Sequence, residues 1–141
     1  MDTGVLLRTF VPADPNCRPI RQALRQLRRD GEELVTTCQN IAEFYNVSTR
    51  PITARGGYGL PGVKVDARVR FIERLCRRLM ENERAYQNRK QLIAKYQVSG
   101  VAVHDARLVA MMLAHDVNRV LTINDRDFSR YAPDGIVVLL P

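Results

Sequence analysis

Ile20, Ala23, Leu24 and Leu27 recur at the i, i+3, i+4, i+7 spacing of an amphipathic helix. Asp14-Pro15 ahead of them supplies a capping acid and a first-turn proline, and Gly31 follows as a stop. EELVTT (32–37) then reads as a short strand with β-branched residues. Ile41, Phe44, Tyr45 and Ser48 share a face of the next helix, which has to end near Arg50 because Pro51 follows. RGGYGLPG (55–62) is a loop rather than an element. Val65, Val69, Ile72, Cys76 and Leu79 predict a third helix, Leu92 and Ile93 a fourth over roughly 82–96, and SGVAVHDARLVAMMLAH (99–115) a fifth. NRVLTI (118–123) and GIVVLL (135–140) are apolar runs of the kind that parallel sheets bury on both faces.

Strands alternating with helices predict an α/β sandwich with a parallel sheet. In such sheets sites form outside the carboxyl ends of the strands. Polar residues fall at such positions. Asp2 precedes the first apolar run, Glu43 follows the EELVTT strand by a helical turn, Asp105 opens a helix, and Asn124, Asp125 and Asp127 follow RVLTI. Asp105 on its own is explained equally by the helix dipole, worth a few tenths to about 1 kcal/mol.

Composition narrows the classes. A chain of 141 residues is one domain's length and buries a real core. Its 45% hydrophobic and 26% charged residues are ordinary for a globular protein. No apolar run is long enough to span a membrane, and no secretory signal is evident, so a cytoplasmic protein is expected. Cys17, Cys38 and Cys76 are odd in number and never paired as CxxC, which suits reduced thiols. With His104 and His115 they lack the ligand spacings of a zinc site. The net charge of +7 and pI of 9.8 favour an anionic partner, nucleic acid foremost. The basic residues cluster in 18–29 and 66–78, where a solvated helix face is the plain alternative.

DTGVLLR (2–8), IAEFYNVSTRP (41–51), SGVAVHDARLVAMML (99–113) and LTINDRDFSRY (121–131) resemble, in order and spacing, the motifs of PIN-domain ribonucleases, above all the VapC-type toxins of type II toxin–antitoxin pairs. The resemblance spans nearly the whole chain, read as one domain over 1–141. It implies a three-layer α/β/α sandwich with a central parallel sheet, a Mg²⁺ or Mn²⁺ pocket, and cleavage of RNA phosphodiesters. It also implies an RNA substrate, with transfer and ribosomal RNA both candidates, a cognate antitoxin, and often a homodimer.

Carried over, Asp2, Glu43, Asp105 and Asp127 fall on the catalytic acidic positions, and Asp2, Asp105 and Asp127 on metal ligands. Asn124 is a nearby polar contact and Asp125 lies outside. Thr3, Arg50 and Thr122 are expected to support the site through a ligand or a phosphate, although turn, helix-end and ion-pair roles explain them equally. His104 reads as packing or support rather than as a catalyst. Gathered carboxylates repel unless a cation neutralises them, and hard oxygens select Mg²⁺ or Mn²⁺. Two departures stand against the family pattern. Gly4 replaces the usual Asn or Ser after Asp-Thr, and only Met1 precedes Asp2 where members have an apolar strand. That first strand is expected to be truncated here, by a start assigned too late. The alternative function is a catalytically silent RNA- or antitoxin-binding module on the same fold.

Overall fold

The computed structural model describes residues 1–54 and 56–141, so Arg55, the first residue of the predicted 55–62 loop, lies outside the described residues. The chain forms two compact units, Met1–Arg78 with Pro141, and Leu79–Leu140. Its elements alternate helices with three-residue strands.

The first unit opens with α1 (Thr3–Arg8), which buries Val5, Leu6 and Leu7. The amino nitrogen of Met1 donates to the Val35 carbonyl at 2.9 Å. α2 (Cys17–Arg29) buries Ile20 and Leu24 on the expected stripe. It begins later than Asp14-Pro15 suggests. Asp14 Oδ1 accepts from the Asn16 amide at 2.8 Å, making a local turn just ahead of the helix rather than capping it. Gly31 follows with φ +78°, a left-handed conformation that glycine adopts without cost.

β1 (Val35–Thr37) is shorter than the 32–37 run and leads directly into α3 (Cys38–Thr49), which buries Asn40, Phe44 and Ser48. The Phe10 ring meets Phe44 edge-on at 5.8 Å. As expected from Pro51, α3 stops at Arg50. Residues 57–60 of the predicted loop are tied down: Tyr58, Leu60 and Gly59 amides donate to the carbonyls of Val47, Ser48 and Arg50 at 3.1, 2.9 and 2.8 Å. The segment thereby satisfies carbonyls that a helix end leaves without partners.

α4 (Gly62–Leu75) buries Val65, Val69 and Ile72 but does not run on to Leu79. Cys76 is already extended at φ −126°, ψ 136°, and β2 (Arg77–Leu79) pairs with β1, the Arg77 amide donating to the Leu34 carbonyl at 2.9 Å.

The second unit is built on α5 (Glu83–Tyr96) and α6 (Ala102–Ala114). Leu92, Leu108, Val109 and Met112 fill its core with Val120, Phe128, Tyr131 and Ile136. Fully burying one such apolar side chain is worth roughly 1.5–3 kcal/mol. β3 (Arg119–Leu121) pairs in parallel with β4 (Val137–Leu139), in the register Arg119–Val137, Val120–Val138, Leu121–Leu139. α7 (Asp125–Ser129) and a 3-10 turn (Ala132–Asp134) lie in the crossover between them, which is as long as a parallel pair requires. The cysteines are free, Cys17 and Cys76 buried and Cys38 exposed, and burial pushes the Cys76 thiol up to about 11. No helix among the described residues is long and apolar enough to cross a membrane.

Candidate functional site

In the first unit, the extended backbone of Asp2 (φ −73°, ψ 152°) is the N-cap of α1, and its carbonyl accepts from the Val5 and Leu6 amides. Its side chain makes no capping bond to that helix. Thr3 follows, buried, and its hydroxyl donates to Glu43 Oε2 on α3 at 2.5 Å. Gln39, four residues earlier on the same face of α3, donates from Nε2 to the other Glu43 oxygen at 2.7 Å. Both oxygens of the Glu43 carboxylate thus accept hydrogen bonds from uncharged donors. Arg50 is half-buried at the C-cap of α3.

The residue that ties these together is Asn40, 1% exposed. Its Nδ2 donates to the Thr3 hydroxyl at 2.9 Å, while its Oδ1 accepts from the amide and hydroxyl of Thr37 at 3.2 and 2.7 Å. Thr37 caps α3 in return, accepting from the Asn40 amide.

In the second unit, Asp105 sits in the first turn of α6 and Asp127 in that of α7. Asn124 is the N-cap of α7 and its side-chain amide donates to Asp127 Oδ2. Thr122, fully buried, accepts from the Asn124 amide at 3.0 Å and passes its own amide to the Leu139 carbonyl, so β3 and β4 hold the turn that carries Asp127. Asp125 and His104 are exposed; His104 therefore does not pack in the interior, as the sequence reading allowed. Met111 and Met112 are core residues.

Beside these acids lies Tyr131, which sequence reasoning did not single out. Its ring is fully buried against Tyr96, 5.1 Å away edge-on, and its hydroxyl has no hydrogen-bond partner among the described residues. Burial raises its pKa, Arg130 opposes the rise, and the carboxylates of Asp105 and Asp127 add to it, so both acids act electrostatically on one phenol.

Each unit by itself holds two of the four sequence-predicted acids. Within neither do three His, Cys, Asp or Glu side chains among the described residues form a metal-holding group. Each pair offers carboxylate oxygens, hard ligands of the kind that suit Mg²⁺ or Mn²⁺.

The first unit also carries a pocket of about 400 Å³ lined by Phe10, Leu24, Phe71, Arg21, Arg25 and Arg28. Arg21 is anchored by its Nε to the Thr9 carbonyl at 2.9 Å.

Compared with known proteins, residues 1–133 match the profile of the PIN domain. The chain belongs to the PIN domain family. PIN domains are nucleases. Among solved structures, a PIN-like α/β fold recurs in the crystal structure of VapBC2 from Rickettsia felis bound to a DNA fragment from their promoter. That chain superposes with a TM-score of 0.73 at 11% identity, over 99% of this chain and 96% of its own. At that identity the likeness establishes the fold, helix-rich with short parallel strands. No curated protein matches the sequence.

Proposed function

We infer that this PIN domain is a metal-dependent endoribonuclease, the toxin of a VapC-type toxin–antitoxin pair, in which the whole chain of 141 residues works as one domain in the cytoplasm. The observation that carries the reading is the holding of Glu43 by Thr3 and Gln39, which fixes a carboxylate on a helix that the family motif spans. Asp2, Asp105 and Asp127 are assigned as metal ligands, with hard oxygens that suit Mg²⁺ or Mn²⁺. A bound ion supplies a water of lowered pKa and stabilises the charge that develops on the phosphate.

The chain's own residues do the rest. Glu43, held by two donors, orients the attacking water or accepts its proton. Asn124 keeps Asp127 in one orientation, with Thr122 supporting that turn. Arg50 and the arginines of α2 draw RNA in through phosphate contacts, a transfer or ribosomal RNA being the expected substrate. The same basic face suits an acidic segment of an antitoxin, and a homodimer fits the family.

The test is cleavage of a mixed transfer-RNA pool with Mn²⁺, with EDTA, and by the Asp105→Asn variant. Cutting that needs metal and falls by at least about 100-fold in the variant is expected. RNA binding that survives EDTA, with no cutting by folded protein, would instead identify a silent binding module.

A further inference from the structure

We propose that Asn40 is a positioning residue for Glu43, acting through the Thr3 hydroxyl; the inference rests on the nuclease reading above. The direction of every bond in this network is fixed by one group that only donates, the backbone N–H of Thr37. It lies 3.2 Å from Asn40 Oδ1, so that atom is the carbonyl oxygen and the other is the amide nitrogen. The nitrogen faces Thr3 at 2.9 Å, so the Thr3 hydroxyl accepts there. A hydroxyl has one proton, and the one on Thr3 is left to point at Glu43 Oε2, 2.5 Å away.

The chain Thr37 to Asn40 to Thr3 to Glu43 therefore has one polarity, and it delivers a donor to the carboxylate. Each member is buried or part-buried, where a misdirected donor is costly. Gln39 secures the second oxygen from the other side. Together they leave Glu43 one orientation, set by a residue three positions earlier that touches neither substrate nor metal.

A helix-capping role alone would also account for Asn40, and one substitution separates the two. Asn40→Asp keeps an oxygen for the Thr37 amide and adds a first-turn acid that favours the helix, but loses the donor to Thr3. A capping residue tolerates this change; a positioning residue does not. We expect Asn40→Asp and Thr3→Val each to lower kcat about 10–100-fold, with KM within about threefold. Thr3→Ser, which restores the hydroxyl, should stay within about threefold of wild type. The double variant Thr3→Val/Asn40→Asp should be no slower than the worse single one, because both break one chain. Wild-type kcat in folded Asn40→Asp, or losses that multiply in the double variant, would overturn the proposal.

A second readout does not depend on cleavage. In Thr3→Val, the Asn40 side-chain amide resonances and the Glu43 carboxyl ¹³C shift should both move at neutral pH, and Thr3→Ser should leave both near their wild-type positions. If neither moves in Thr3→Val, the coupling is absent. If both move but wild-type protein cuts no RNA, the network stands and the nuclease reading fails.

Discussion

Glu43 and Asp127 are each held by a neighbour that only the three-dimensional arrangement supplies or orients. Glu43 stands out in the sequence because a carboxylate among apolar residues is conspicuous, and Asp127 because it follows the apolar RVLTI run. Gln39 and Asn40 do not, since amides on a helix read as solvated face, and neither was singled out. The i, i+4 spacing of Gln39 and Glu43 was the available signal. Tyr131 was hidden for another reason: it sits in the polar stretch DRDFSRYAPDG, where a lone tyrosine carries no pattern, and its unpartnered hydroxyl exists only in three dimensions.

At the same scale, Asp134 binds Lys95 Nζ at 2.7 Å and the Tyr96 hydroxyl. Partial burial would raise its pKa, but these two hydrogen bonds and the charge of Lys95 together outweigh burial and the net shift is downward. A carboxyl depressed in the folded state contributes stability above its ordinary range, and that contribution is lost as pH falls through the folded value. The thermal midpoint should drop as pH falls below about 4, and Asp134→Asn should flatten that part of the pH profile. An unchanged slope in the variant would remove Asp134 from the account.

Among elements, α2 and α3 were legible because each carries an apolar stripe whose period can be counted, α5 from Leu92 and Ile93, α6 as a long apolar run, and β3 and β4 because each is a bounded apolar run. α1 was not assigned, since six residues are too few to separate a helical stripe from a buried strand. α4 was overextended for a specific reason. Ile72, Cys76 and Leu79 keep helical spacing by coincidence, while no glycine or proline marks the break at Cys76. The predicted 55–62 loop holds over residues 56–61, and residues 57–60 of it are bonded along the end of α3. Gly57 is what allows that approach. A Cβ there would lie 2.2 Å from the Pro51 carbonyl oxygen and 2.6 Å from that of Arg50, both backbone atoms that cannot swing aside. Gly57→Ala should cost at least about 1–3 kcal/mol, read as a lower urea midpoint at unchanged slope.

For the molecule as a whole, charge is the dominant property. α2 has no acidic residue, and Arg25 and Arg28 beside the Phe10–Phe71 pocket form no ion pair among the described residues. On the proposed reading, binding to RNA should therefore weaken steeply with salt, log K falling linearly with log salt concentration. Replacing Arg21, Arg25 and Arg28 by Gln should make that slope shallower by about 0.7 for each phosphate of single-stranded RNA that the protein no longer neutralises. An unchanged slope would direct the search for the RNA surface to the other arginines.

The Thr3–Glu43 bond joins residues 40 apart, whereas α5 and α6 are consecutive helices that pack on each other. Closing the longer loop has an entropic cost that must be met before its contacts form, so the two arrangements differ in time as well as in space. The α5–α6 hairpin is expected to form early, because its contacts are local. Glu43 is expected to acquire its fixed orientation late, after α1 and α3 have met. On the proposed reading, a nuclease whose acid is aimed by its last contacts to form is expected to stay inert through most of its own folding.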